Sequence, residues 1–170
     1  VDEWIPIEGS MDAIAFLTQA GYTIAVATNQ SGIGRKYFTV QDLTEMHAKM
    51  HRLAVQAGGT IDGIWFCPHT AVDNCECRKP KPGMILDIIE RFKADAAETW
   101  LVGDSLRDLQ AIDAAGGKSA LVLTGKGKKT LAQHEQDLPE HTQIFDNLLA
   151  FSQYIMRENT QIEETAQAIL

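Results

Sequence analysis

The chain of 170 residues has no excess of positive charge and no long apolar run. Its 15 Lys and Arg against 23 Asp and Glu give a formal net charge of -8 at pH 7. Because nucleic-acid-binding proteins normally carry a basic face, we expect no nucleic-acid partner. No run approaches the ~18 apolar residues that a membrane span requires, and no basic-then-apolar signal segment opens the chain. We therefore expect no membrane partner either.

Cysteine is scarce, and all three cysteines lie with a histidine in one short stretch, C-P-H-T-A-V-D-N-C-E-C. Cys67, His69, Cys75 and Cys77 supply three thiolates and one imidazole, a complete tetrahedral shell for a structural Zn²⁺. The alternative is three buried thiols beside an incidental histidine, since free cysteine packs as a small apolar residue. The charged neighbours of Cys75 and Cys77 speak against a core position. A metal that uses every cysteine predicts a reducing compartment, the cytoplasm.

The rest of the chain is typical of a globular domain, with 45% hydrophobic and 22% charged residues. Short β-rich runs alternate with helical patterns, which predicts a parallel α/β sheet with helices on both faces. Strands are predicted at residues 23–28, 63–67, 99–103 and 119–124, and helices at about 10–21, 39–58, 82–92 and 106–115. We divide the chain into a domain of residues 1–150 and a helical tail of residues 151–170.

Polar groups follow two of the predicted strands, at the ends where parallel sheets place their chemistry. The segment T-N-Q-S-G, which begins at Thr28, suits a phosphate oxygen, although a plain turn uses similar residues. In V-G-D-S, Asp104 stands at a helix start, where a carboxylate could hold Mg²⁺ with waters. A capping aspartate is equally common there, so spacing alone leaves both interpretations open.

Two cations, Arg78 and Lys79, directly follow the last candidate zinc ligand. Arginine suits bidentate phosphate contact and lysine acts as a compact point charge. The alternative is a solvated basic loop. We assign the separate basic run of Lys126, Lys128 and Lys129 mainly to solvent.

The order of these motifs resembles the haloacid dehalogenase (HAD) phosphatase superfamily. More closely, T-N-Q-S-G-I, the cysteine loop with R-K-P-K-P-G-M, and V-G-D-S-x-x-D resemble the D-glycero-D-manno-heptose-1,7-bisphosphate 7-phosphatases, over roughly residues 4–127. Histidinol-phosphate phosphatases share the cysteine loop and are the nearest rival family. The resemblance implies a HAD-like Rossmannoid three-layer sandwich with a parallel sheet and no large cap domain.

The resemblance also implies roles for single residues. Thr28 and Lys79 would be catalytic, the first bonding the transferring phosphoryl group and the second stabilising its charge. Asp104 would coordinate Mg²⁺, and Asp108 would orient the surroundings of that metal. Substrate binding would fall to Thr28, Asn29, Gln30, Ser31, Arg78, Lys79 and Ser105. The zinc would be structural and would brace the loop that carries Lys79.

In the family, a central first strand ends in D-x-D, whose aspartates are the nucleophile and the general acid/base. Nothing before Trp4 fits that pattern, so we expect a fragment or a misannotated start, with the central strand absent. The alternatives are that the strand is supplied otherwise or that the sheet rearranges. Removal of a middle strand leaves its neighbours about 10 Å apart, with unpaired backbone groups on both. Because carboxylate attack on phosphorus then lacks its nucleophile, we expect the 170 residues to be inactive.

The favoured function is therefore that of the parent family: hydrolysis of the 7-phosphate of heptose bisphosphate through an aspartyl-phosphate, in ADP-heptose and lipopolysaccharide core synthesis. The alternatives are a histidinol-phosphate phosphatase and a zinc-stabilised pseudo-phosphatase that binds a phosphorylated ligand or a partner. The expected cofactors are Mg²⁺ and structural Zn²⁺. The expected partner is a phosphorylated sugar, and the expected state is a monomer.

Overall fold

The computed structural model describes residues 4–168, in which strands and helices alternate. The strands are β1 (Ala25–Asn29), β2 (Gly63–Cys67), β3 (Trp100–Gly103), β4 (Lys118–Val122) and β5 (Gln143–Phe145). The helices are α1 (Ser10–Gln19), α2 (Ser31–Gly34), α3 (Val40–Gln56), α4 (Gly83–Phe92), α5 (Leu106–Ala114), α6 (Gly127–His134) and α7 (Leu148–Ala168). Every strand pairing is parallel, which confirms the predicted α/β class.

The sequence pattern located β1 to β4 and α1, α3, α4 and α5 to within two or three residues. It missed α2, α6 and β5. The boundary drawn at residue 150 falls inside α7, and the division into a domain and a tail stays a prediction. Within the described residues, no helix combines the length and the apolar character needed to cross a membrane.

The sheet is interrupted between β1 and β3. β1 pairs with β2, and β3, β4 and β5 form a second sheet, with no ladder joining β1 to β3 among the described residues. The carbonyl of Ile24 and the N–H of Gln30 bond toward β2. Since backbone direction alternates along a parallel strand, Ala25, Ala27 and Asn29 present their backbone groups to the open edge. The interruption lies where a central strand was expected to be absent.

Helices on one face hold the two sheets together. Ile85 of α4 packs with Ala111 and Ile112 of α5, and this cluster contacts both Ala27 of β1 and Leu101 of β3. Burial of each large side chain contributes about 1.5–3 kcal/mol. The attachment between the sheets on this face is therefore apolar packing.

The opposite face is covered by α1 and α7. Leu17 of α1 and Phe151 of α7 lie in one buried cluster. The partly buried side chains of Ile24, which precedes β1, and Val102 of β3 pack against it. Two helical layers thus enclose the interrupted sheet, and the predicted three-layer sandwich is confirmed.

Candidate active site and metal centre

Asn29 joins the tip of β1 to the loop that follows β2. Its Nδ2 donates to the carbonyl of Lys79 at 3.0 Å, and the N–H of Lys79 donates back to Asn29 Oδ1 at 3.1 Å. The side-chain amide of Asn29 thus satisfies both the backbone carbonyl and the backbone N–H of Lys79. The pair fixes Lys79 at the carboxyl end of β1, fifty positions away in sequence.

The side chain of Lys79 is buried and bridges the two sheets. Its Nζ donates to the carbonyl of Ala27 at 2.7 Å and pairs with Asp108 Oδ1 at 2.7 Å, with the residue only 8% exposed. A buried ammonium needs a partner of opposite charge, which Asp108 supplies. An ammonium has three donors. Two are used here, so one remains for an anion.

The second carboxylate oxygen of Asp108, Oδ2, accepts hydrogen bonds from the residue that precedes α5. The N–H and Oγ of Ser105 donate to Asp108 Oδ2 at 3.2 and 2.7 Å, and the two residues form a reciprocal capping box. Gly103 permits this approach, because a Cβ there would lie 2.5 Å from the Cβ of Asp108. The direct partner of Asp108 is therefore Lys79; a role toward a metal stays a prediction.

Asp104 lies at the carboxyl end of β3 and is braced by the loop after β4. The N–H of Lys126 donates to Asp104 Oδ2 at 2.9 Å, and Thr130 Oγ1 donates to the Asp104 carbonyl at 2.7 Å. Mg²⁺ prefers hard oxygen ligands and keeps several waters. The carboxylate of Asp104 fits that preference, because it is braced through Oδ2 and its Oδ1 accepts no hydrogen bond from the residues that the structure describes.

Thr28 is oriented by its neighbour in the β1 loop. Gln30 Nε2 donates to Thr28 Oγ1 at 3.0 Å, so the hydroxyl proton of Thr28 is left to donate elsewhere. Ser31 begins α2, directly after this loop. Arg78 Nη1 donates to the carbonyl of His69 at 3.3 Å, which places its guanidinium against the cysteine loop.

Cys67, His69, Cys75 and Cys77 form a four-ligand cluster whose ligand atoms all lie within 4.8 Å of one another. The Sγ separations are 2.9, 3.5 and 3.6 Å, and His69 Nδ1 lies 3.5 and 3.4 Å from two of the sulfurs. A tetrahedral ion with Zn–S of about 2.3 Å separates its sulfurs by about 3.8 Å and sulfur from nitrogen by about 3.5 Å. The donor set could hold a metal, and its chemistry is that of a zinc site. Two of the sulfur pairs and both sulfur–nitrogen pairs lie near the spacing for zinc, whereas Cys67 and Cys77 lie closer together.

The pKa values of two thiols in this cluster, Cys75 and Cys77, are shifted in opposite directions. Burial raises the pKa of Cys75, but hydrogen bonds from the Cys77 thiol and the Arg78 N–H outweigh it and lower that pKa to about 7. Burial, together with hydrogen bonds to Cys67 and Cys75, raises the pKa of Cys77 to about 12. A bound metal cation would displace the thiol protons, because thiolates are the metal ligands.

The structure brings most of the predicted site residues to one edge of the molecule. Thr28, Asn29, Lys79, Asp104 and Asp108 lie at or after the carboxyl ends of β1, β2 and β3. Hydrogen bonds and an ion pair join Asn29, Lys79 and Asp108 directly. Sequence reasoning missed two backbone groups, the carbonyl of Ala27 and the N–H of Lys126. No residue type marks a backbone group. A glycine-flanked lysine after β4 was the one available signal for the second.

Comparisons with known proteins agree with this fold and site. Residues 76–151 match the HAD-hydrolase-like family model. Together with the parallel three-layer fold, this match defines the class as a HAD-like hydrolase. A D-glycero-beta-D-manno-heptose-1,7-bisphosphate 7-phosphatase from Neisseria meningitidis serogroup B is 84% identical over 160 residues, which cover 94% of this chain and 86% of the relative. The chain therefore belongs to the D-glycero-beta-D-manno-heptose-1,7-bisphosphate 7-phosphatase family.

Two further relatives extend the comparison. The phosphatase of the same name from Pseudomonas putida is 47% identical, with 92% of this chain and 87% of the relative covered. The crystal structure of D,D-heptose 1,7-bisphosphate phosphatase from B. bronchiseptica, complexed with magnesium and phosphate, has a TM-score of 0.89 at 50% identity. The superposition covers 92% of this chain and 87% of the B. bronchiseptica chain.

Proposed function

We propose that this chain serves the hydrolysis of the 7-phosphate of D-glycero-D-manno-heptose 1,7-bisphosphate. The observation that carries the proposal is the buried Lys79, held by Asp108 and by the carbonyl of Ala27, with one donor of its ammonium left for an anion. A similar protein of 50% identity was crystallised with magnesium and phosphate, the two species that such a site would hold.

The residues at this edge of the sheet would have different roles in phosphate binding. Lys79 binds the transferring phosphoryl group and neutralises its growing charge, and the Thr28 hydroxyl donates to one of its oxygens. Asn29 keeps Lys79 in place through its two backbone bonds. The remaining substrate contacts come from Gln30, Ser31, Arg78 and Ser105.

Asp104 would hold Mg²⁺ through a carboxylate oxygen, and Asp108 would act one step further out, through Lys79. The metal would supply charge neutralisation at the phosphoryl oxygens. The cysteine loop would hold structural Zn²⁺, a role in which a closed four-ligand shell leaves no position for a reacting water. We further propose a monomeric, cytoplasmic protein.

The attacking carboxylate must be additional to the two aspartates described here. Asp108 is engaged by Lys79 and Ser105, and Asp104 by the Lys126 N–H. In this proposal the remaining oxygen of Asp104 would hold Mg²⁺. Covalent phosphoryl transfer to a carboxylate needs a third, free one. Ligand binding by the 170 residues is therefore a sharper test than turnover.

The test is titration of the chain with inorganic phosphate, with and without Mg²⁺, followed by calorimetry. We expect Mg²⁺-dependent binding that Asp104→Asn abolishes and that the control Asp113→Asn, on an exposed position of α5, retains. Tighter binding of heptose 1,7-bisphosphate than of histidinol phosphate is expected in the same assay. Phosphate binding that is indifferent to both Mg²⁺ and Asp104→Asn would contradict the proposal.

A further inference from the structure

The loop between β4 and α6 is locked onto Asp104. The Lys126 N–H and the Thr130 hydroxyl bond to its carboxylate and its carbonyl, and Thr130 is only 6% exposed. Gly125 adopts a φ of +56°, and a Cβ at this position would collide with Asp104 Oδ2. Glycine is the residue that tolerates both conditions. The position of Lys126 relative to Asp104 is therefore fixed by its backbone.

The side chain of Lys126 is exposed, and its charge is uncompensated. Lys79, Lys81 and Lys118 each form an ion pair within the described part of the chain. Lys126 forms none there, although its main chain lies against a carboxylate. A free ammonium on a fixed backbone beside the catalytic edge is available to bind an anion.

Strand order places the backbone of Lys126 on the far side of Asp104 from Lys79. Lys79 bonds to Ala27 at the open edge of β1, whereas Lys126 follows β4, which pairs with β3 on its other side. Lys79 has one donor left, enough for the phosphate that reacts. A substrate with phosphates at both ends of its carbon chain needs a second cation at a distance from the first.

We propose that Lys126 binds the phosphate of the substrate that is not transferred and so selects a sugar bisphosphate over a monophosphate. The proposal rests on the proposed function, since the transferring phosphate must lie at Lys79 and Asp104. It revises the assignment of this lysine to solvent, which its sequence context favoured. Lys128 and Lys129 lie outside the loop's contacts with Asp104 and keep that assignment.

The experiment compares Lys126→Ala, Lys126→Arg and Lys128→Ala in the whole chain with Mg²⁺ present. Calorimetry measures the Kd of two probes, inorganic phosphate and heptose 1,7-bisphosphate. Loss of a charge-assisted hydrogen bond predicts at least about tenfold weaker bisphosphate binding for Lys126→Ala. Inorganic phosphate binding should stay within about twofold, because its own ligands are intact. Lys126→Arg should keep most of the bisphosphate affinity.

Lys128→Ala removes the same charge two residues away and thus measures the general electrostatic contribution. The proposal is overturned if Lys128→Ala matches Lys126→Ala, if Lys126→Ala weakens both probes equally, or if it weakens neither. It is also overturned if the unmodified chain binds the bisphosphate no better than inorganic phosphate. Failure of the unmodified chain to bind either probe would instead remove the proposed function, and this inference with it.

Discussion

Lys79 is the residue on which the two sheets and the site depend together. Its ammonium donates to a carbonyl of β1 and pairs with a carboxylate at the start of α5, and both acceptor oxygens lie 2.7 Å from Nζ. With side-chain exposures of 9% and 11%, neither charge of the Lys79–Asp108 pair is solvated well enough to stand alone. The ion pair between Lys79 and Asp108 therefore both positions the lysine for phosphate binding and stabilises the fold.

Replacement of Lys79 by methionine should reduce both stability and phosphate binding. The change leaves the Asp108 carboxylate buried without its cation, which costs about 3 kcal/mol or more. Urea denaturation measures this loss, and phosphate titration measures the second effect. The matched control is Lys81→Met, because Lys81 pairs with an exposed Glu76 and such pairs contribute at most about 1 kcal/mol. Equal losses for the two variants would contradict the bridging role of Lys79.

At the residue scale, sequence reasoning found side chains with distinctive chemistry and missed their partners. Cys67 and Lys79 stand out by type and spacing. The commitment of Asp108 to Lys79 depends on how the loop after β2 folds back to β1, a contact between residues 29 positions apart. Pattern alone cannot give it, because nothing in the local sequence records a distant partner.

The cysteine loop is the element that carries Arg78 and Lys79 from β2 to α4. Its four ligands close a loop whose intervening residues are largely exposed, so little apolar burial holds it. In such segments a bound metal supplies the folding free energy that a core would otherwise provide.

Removal of this metal should loosen the loop and weaken phosphate binding while the three-stranded sheet persists. A chelator titration followed by metal analysis and near-ultraviolet circular dichroism would check it. Trp100 and Phe151, which contact each other 5.5 Å apart beside β4, supply a signal from the distant core. Full phosphate affinity in chelated, Mg²⁺-replenished protein would show that the loop holds its shape unaided.

The start of α3 is capped by its own sequence, as the start of α5 is. Thr39 and Asp42 form a reciprocal capping box, in which the side chain of each accepts from the backbone N–H of the other. The β5 strand and the α6 helix were not predicted, for two different reasons. β5 has only three residues, too few for an alternating pattern. α6 begins in a lysine-rich run with no apolar stripe.

Thr39→Ala should destabilise the chain by about 1 kcal/mol at pH 7, because the cap of α3 is lost. The backbone and side-chain hydrogen bonds from Thr39 lower the pKa of Asp42 in the fold. A carboxyl with a lowered folded pKa contributes stability above its unfolded pKa and loses it as pH falls through the folded value. The difference between the two proteins in urea should therefore shrink in acid. Thr44→Ala, within the same helix, is the control and should be near neutral.

At the scale of the whole molecule, the charge distribution is uneven. The net charge is -8, yet more than half of the 15 cations follow the carboxyl ends of strands. They are Arg35, Lys36, Arg78, Lys79, Lys81, Arg107, Lys126, Lys128 and Lys129. A cation-rich edge on an acidic protein focuses an anionic substrate at the site. Strand–helix alternation brings the loops that carry these cations to one end of the sheet.

The division of the sheet has a consequence for the exchange of backbone protons with solvent. Along β1, the amides of Val26 and Thr28 face β2, whereas those of Ala25 and Ala27 face the open edge. In deuterated water we expect the second pair to exchange much faster than the first. On β4, which has a neighbour on each side, Ala120 and Leu121 should be protected alike. Nuclear magnetic resonance would read this alternation residue by residue, and uniform protection along β1 would mean that its free edge is covered in solution.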